Sequence, residues 1–451
     1  MSAETKRDTR SILDQNAFNF ARSSGNDHLD SLIRQRRELV GPTSMLFYDQ
    51  PIEMVEGQGV WLFDAEGKRY LDVYNNVPVL GHCHPRVIDA VAQQMVRLNV
   101  HTRYLDEALH RYAEQLLGTL PLDSGRLVMT CTGSEANDLA LRLARLHSGK
   151  QGVIVSAAAY HGNTAAVTEV SPSSMKQGQV PDFVVCIDLE PLNDESLDAA
   201  AYLDTQVANA IELLDERGFG CAALLIDTIF SSDGVYADPA GALAPAVRRV
   251  QHAGGLLIAD EVQPGFGRTG SEFWGFARHG LMPDIVTFGK PMGNGYPVAG
   301  LAAPEALLAE LAAQTGYFNT FGGSSVAVAA AQAVLDTLVE EELQANALST
   351  GNELLAGLSG LCDEFPQLAR VRGAGLFIGV DIVAADNQPD PLACSRIINA
   401  LRHRGVLIGA AGLYGNVLKI RPPLCFKPEH GHLLLEQLRQ VLINDLGGVT
   451  S

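Results

Sequence analysis

The stretch "GGLLIADEVQPGFGRTG", residues 254–270, carries four apolar residues into two adjacent carboxylates, Asp260 and Glu261, and then into glycine-rich polar chain. A short apolar run opened by glycines reads as a strand buried on both faces, as in a parallel sheet. Ligands bind outside the carboxyl ends of such strands, so acids placed there point to a ligand. Five further runs share the pattern: residues 126–131, 152–156, 183–188, 222–227 and 284–289. Helix-length amphipathic stretches, such as Leu197 to Arg217 and Ala242 to Ala253, separate several of them. Parallel strands need crossovers of that length, and the alternation defines an α/β fold. The ends of the chain read differently. Residues 59–75 alternate about an Asp-Ala-Glu-Gly turn, as an antiparallel hairpin does. Residues 367–382 and 404–426 add strands among helices, so both termini are expected to build one smaller α+β domain.

Composition narrows the function. The chain has 451 residues, 47% of them apolar, which is enough for a large core. Its formal net charge of −19 opposes binding to nucleic acid or to an anionic membrane surface. Seven cysteines (Cys83, Cys131, Cys186, Cys221, Cys362, Cys394 and Cys425) are scattered without a C-x-x-C pair, as free thiols of a reducing compartment would be. The opening "MSAETKRDTR" lacks the apolar core of a signal peptide, and no apolar run is long enough for a membrane span. A cytoplasmic enzyme is expected.

Three strands end in ionisable residues: Asp227, Asp260 and, after "DIVTFG", Lys290. Of the seven lysines, Lys290 is the one that follows so apolar a strand, and glycines around it permit close approach of a ligand to backbone. A desolvated lysine loses its proton readily and attacks carbonyl groups, giving a Schiff base. The alternative is a strand-end lysine pointing at water. Pyridoxal phosphate suits the first reading, because a buried carboxylate such as Asp260 would keep its ring nitrogen protonated. In "TCTGSEAND", residues 130–138, Gly133 and Ser134 would offer helix N-terminal amides to its phosphate. Thr132 and Glu135 also fit a capping box there. In "GHCHP", His82, Cys83 and His84 lack a distant partner cluster, so no metal is expected.

These residues and their order resemble the class III aminotransferases, pyridoxal-phosphate enzymes of fold type I. The likeness runs over roughly residues 45–440, through "GVWLFDAEGKRYLDVYNN", "TGSEAND", "YHGNT", "IADEVQPGFGRTG", "PDIVTFGKPMGNGYPVAG", "FNTFGG" and "KIRPPLCF". It implies a large domain, residues 76–335, with a mostly parallel seven-stranded sheet, and a small domain from residues 1–75 and 336–451. It further implies that Lys290 holds the cofactor and shuttles the substrate proton. Asp260 would pair with the pyridine nitrogen, Gln263 would bond the 3-hydroxyl and Tyr160 would stack on the ring. Gly133 and Ser134 would bind the phosphate, and Asp227 joins the cofactor-binding set. Thr320 would reach the phosphate of a neighbouring subunit, giving a homodimer or a dimer of dimers. Arg421 would receive a substrate carboxylate, the alternative being a surface ion pair. Tyr74, Asn75 and Asn76 would line the entrance. Glu261 is expected in a structural salt bridge, Arg268 in a structural role, and His161 in packing beside the site.

The family's common Glu-Pro-x-Gln-Gly is replaced here by "DTIFSSDG", with Asp227 and Thr228 at its first two positions, and Ser232 stands where ornithine and 4-aminobutyrate enzymes have a switch glutamate. The resemblance is strongest to a branch holding both alanine:glyoxylate-type transaminases and ethanolamine-phosphate phospho-lyases. The leading expectation is transfer of an amino group from an amine or amino acid to a small 2-oxo acid such as pyruvate. The alternative is elimination from a phosphorylated or phosphonated amino alcohol. Arg421 is expected to favour transamination, since lysine is more usual there among the lyases.

Overall fold

A computed structural model describes residues 16–20, 23–122, 124–175 and 180–445. The opening segment read above for a signal peptide lies outside them. Near the start, β1 (Met54–Gln58), β2 (Trp61–Asp64) and β3 (Arg69–Asp72) form an antiparallel meander. The β2–β3 turn is the expected one: Asp64 Oδ1 accepts from the amides of Glu66 and Lys68, at 3.0 and 2.8 Å.

Seven strands follow: β4 (Gly125–Thr130), β5 (Gly152–Ser156), β6 (Val184–Ile187), β7 (Cys221–Ile226), β8 (Leu256–Asp260), β9 (Ile285–Phe288) and β10 (Ala299–Pro304). They form one sheet in the order β4-β10-β9-β8-β7-β5-β6. The pairs from β9 to β6 are parallel, and β10 runs antiparallel between β4 and β9. Every residue of β5, β7, β8 and β9 is buried, which is why they read as unbroken apolar runs. The six strands read from sequence are all present. The seventh, β10, has the sequence AGLAAP, and its small residues hide it.

The crossover helices match their expected spans closely, at Ala199–Glu216 and Ala244–His252. Asp198 caps the first by accepting from the amides of Ala200 and Ala201. The apolar helix Ser325–Glu340 buries Val326, Ala327, Val328, Ala330 and Ala331 in the core.

The last strands are β11 (Leu368–Ala374), β12 (Phe377–Ile382), β13 (Val406–Leu407), β14 (Gly409–Ala411) and β15 (Val417–Ile420). Strand β13 pairs in parallel with β3, setting Val406 beside Leu71 and Leu407 beside Asp72, so the two ends of the chain share a sheet. β15 lies between β12 and β14 and delivers Arg421, just beyond its end, to the carboxyl edge of the large sheet. All seven cysteines are free. Among the described residues no helix is long and apolar enough to cross a membrane.

Candidate active site

Two cavities meet at the carboxyl edge of the large sheet. A groove of about 370 Å³ is lined by Gly133, Ser134, Tyr160, Asp227, Asp260 and Lys290, among others. A pocket of about 210 Å³ continues from it, and Tyr160, Gln263 and Lys290 line both. The pocket also presents Tyr48, Tyr74, Ser232, Lys419 and Arg421.

Asp260 ends β8 and is buried. Its Oδ2 meets His161 Nδ1 at 2.7 Å and accepts from Asn137 Nδ2 at 3.0 Å, while Oδ1 accepts from the Val262 amide at 3.1 Å. Asn137 also donates to the His161 carbonyl and accepts from Thr287 Oγ1 on β9. The carboxylate is therefore fixed by three elements. His161, expected only to pack, bonds it directly. Sequence reading missed Asn137, a helix residue whose polar character gave no sign of its partner.

Lys290 follows β9, and its amine is pushed down to about 8. Burial is the main cause and the Arg421 charge adds to it, against the opposing pull of Asp260 and Asp227. Asp227, just past β7, accepts from the amides of Ile229 and Ser231 and from the Ser231 hydroxyl. Burial raises its carboxyl pKa, as does nearby Asp260. The Ser231 hydroxyl also accepts from Gln263 Nε2 at 2.7 Å, and Gln263 Oε1 accepts from Asn76 at 3.3 Å and from Arg421 at 2.5 Å. One chain of contacts thus joins Asp227 to Arg421.

The expected capping box is present: Thr132 Oγ1 accepts from the Glu135 amide, and Glu135 accepts from the Thr132 amide. Gly133 and Ser134, at the start of this helix, still line the groove. A Cβ at Gly133 would stand 2.8 Å from Val262 Cγ2. Gly162, at φ +143, lies so near Ser134 that a Cβ there would come within 2.4 Å of its hydroxyl. Both loops close over the groove only because these residues are glycine. With a strand-end lysine, a fixed carboxylate and helix N-terminal residues on one groove, the donor set fits pyridoxal phosphate.

Several expectations are corrected. Glu261 makes no salt bridge: fully buried, it accepts from Thr228 Oγ1 and from the amides of Gly275 and Phe276, at 3.0, 2.7 and 2.9 Å. Asn75 turns back onto Asp72, and Asn76 is buried against Gln263, so of the three entrance residues Tyr74 lines the pocket. Arg421 is no surface ion pair. Its guanidinium lies 4.6 Å over the Tyr74 ring. Arg268 is buried with donors to the carbonyls of Leu376 and Pro422. His82 and His84 face Asp72 and Glu341. Thr320 is exposed and lines neither cavity.

Lys419 was overlooked among the lysines. It sits inside β15 and is buried, with its amine 5.5 Å from the centre of the Phe377 ring. Its side-chain amine makes no hydrogen bond or ion pair among the described residues. The strand VLKI is as apolar as the one before Lys290, but its lysine is in the middle, where sequence suggests an outward-facing polar residue.

This sheet, with its lysine and carboxylate at the carboxyl edge, is that of a fold type I pyridoxal-phosphate enzyme. The family model for class III aminotransferases matches residues 47–442, and the chain belongs to that family, with pyridoxal phosphate as its cofactor. It is 40% identical over 427 residues to the "alanine–glyoxylate aminotransferase 2-like" protein of Drosophila melanogaster, covering 91% of this chain and 86% of the relative. It is 36% identical to an ethanolamine-phosphate phospho-lyase homologue of Caenorhabditis elegans, with 92% and 93% covered. Among solved structures, a phospholyase from Arthrobacter in complex with phosphoethanolamine is 42% identical, with a TM-score of 0.88 over 92% of this chain and 99% of that one.

Proposed function

We propose that the protein eliminates ammonia from a small amino alcohol bearing a phosphate or phosphonate, leaving an aldehyde. The observation that carries this reading is Lys419, a buried lysine without a counter-ion, set beside Arg421 in the pocket next to Lys290. An arginine and a buried lysine that can take up a proton, set in one small pocket, suit a dianion better than the single charge of a carboxylate. Ser232, also lining the pocket, brings no competing acid. The likeness to the Arthrobacter phospholyase supports the same choice. Arg421 by itself fits either reading, because a guanidinium fork binds a phosphate or phosphonate as well as a carboxylate.

When bound, the cofactor draws off the electron pair left as the substrate carbon loses its proton. Lys290 is the group that removes that proton, its lowered pKa of about 8 leaving roughly a tenth of the amine free at pH 7 and about half at pH 8. Asp260, held by His161 and Asn137, would keep the pyridine nitrogen protonated. Gln263 would bond the 3-hydroxyl, Tyr160 would cover the ring face, and Gly133 and Ser134 would hold the cofactor phosphate. Asp227 supports Gln263 through Ser231. Lys419 and Arg421 would hold the substrate's distal anion while Tyr74 keeps the guanidinium in place. With phosphoethanolamine the carbon–oxygen bond breaks, its electron pair leaves with phosphate, and addition of one water yields acetaldehyde and ammonia. A homodimer is part of this reading: Thr320 and its neighbour Phe321 are exposed, as a threonine reaching into a partner's site would be.

The Arg421 fork also supports a second reading, transamination with pyruvate or another 2-oxo acid. Phosphate and ammonia release from phosphoethanolamine, measured beside alanine formation from pyruvate with a panel of amines, decides between the two. Alanine formation without phosphate release would reject the lyase.

A further inference from the structure

We propose that Lys419 is the residue by which the pocket distinguishes a phosphate dianion from a carboxylate, by taking up a proton as the dianion enters. The inference rests on the lyase reading and goes beyond it. Lys290, Arg421 and Lys419 all line one pocket of about 210 Å³. Arginine keeps its charge under all such conditions. Lysine does not, and burial first, then Arg421, holds the Lys419 amine well below its usual range. The carboxylates acting on it are Asp227 and Asp233, and neither forms an ion pair with it. The groups Ser156 Oγ and the Ala158 amide occupy Asp233, and the Ser231 hydroxyl and two amides occupy Asp227. Strands β12 and β14 set glycines, Gly379 and Gly409, beside Lys419, and the remaining titratable neighbours in the pocket are the phenols of Tyr48, Tyr74 and Tyr160.

An empty pocket therefore holds one permanent positive charge, on Arg421. A monoanionic carboxylate is matched by that charge alone. A dianion leaves one negative charge over, and Lys419, beside Arg421 in the pocket, is able to answer it by binding a proton from solvent. Linkage is reciprocal: if the dianion draws a proton onto Lys419, that proton tightens the dianion.

The test uses the cofactor-loaded enzyme and two ligands that lack the amine and so cannot react, 2-hydroxyethyl phosphate and 3-hydroxypropionate. Titration calorimetry at pH 8.5 in buffers of different ionisation enthalpy counts protons taken up, and a phosphate monoester, with a second pKa of about 6, is already a dianion there. Wild-type enzyme is expected to take up protons on binding the phosphate ligand, with Kd rising as pH rises, and to take up none with the carboxylate. Lys419→Met should abolish the uptake and weaken the phosphate ligand at least about tenfold, with less than roughly threefold effect on 3-hydroxypropionate. Lys419→Arg, charged throughout, should bind the phosphate ligand without uptake and with a flat pH profile. Wild-type binding without uptake, or uptake that survives in Lys419→Met, overturns the inference while the lyase reading stands on its phosphate release. If neither 2-hydroxyethyl phosphate nor phosphoethanolamine binds at all, both fall.

Discussion

The amine of Lys290 provides a direct test of the site that needs no substrate. Its pKa is lowered to about 8 by burial, then by Arg421. At pH 8 about half of it should be free base, against about one part in two hundred and fifty for a lysine of ordinary pKa near 10.4. Pulse labelling of the cofactor-free protein with acetic anhydride, followed by peptide mass spectrometry, measures that fraction. Exposed Lys427 in the same sample serves as the reference. After normalisation to its own plateau, Lys290 should reach half-maximal labelling near pH 8, about two units below the ordinary lysine value. Two variants check the cause. Arg421→Met removes a repelling charge and should move the midpoint upward. Asp260→Asn removes an attracting one and should move it downward, because Asp260 opposes the shift. Coincident midpoints for Lys290 and Lys427 would refute the argument, and a downward move in Arg421→Met or an upward move in Asp260→Asn would refute its electrostatic part.

Other outcomes follow from the same geometry. In the loaded enzyme, Asp260→Asn should keep its fold and cofactor but lower substrate proton abstraction by about three powers of ten or more, read by loss of deuterium label from substrate; near-wild-type exchange would show that another group protonates the ring. Gly133→Val should cut cofactor affinity at least about tenfold while leaving the melting temperature of the cofactor-free protein within a few degrees, since the added atoms meet Val262 at the groove. Glu261 has its carboxyl pushed up to about 8 by burial, so its folded pKa lies above the unfolded one. Its contribution to stability is complete below about pH 4.5 and is lost as pH rises through 8, so wild type should lose about 4 kcal/mol relative to Glu261→Gln between pH 5 and 9, measured by urea unfolding of the cofactor-free protein.

What sequence made legible, and what it did not, divides along one physical line. Burial on both faces is written locally, so β5, β7, β8 and β9 and the crossover helices could be read residue by residue. A carboxylate or lysine at the end of such a strand, Asp260 or Lys290, is legible for the same reason: its place on the ligand edge follows from its place in the run. Strand β10 was illegible because alanine and glycine fill it, leaving no contrast with a loop. The partners of Asp260 come from Asn137 and His161, 123 and 99 residues away, and nothing local marks them. Lys419 shows the limit most clearly. Its strand pairs with β12 and β14, and that pairing, which the local sequence does not show, turns a mid-strand lysine inward. A charge that local sequence assigns to solvent is thereby placed beside Arg421, and the number of positive charges facing the substrate, on which the choice between carboxylate and phosphate depends, becomes a property of the fold.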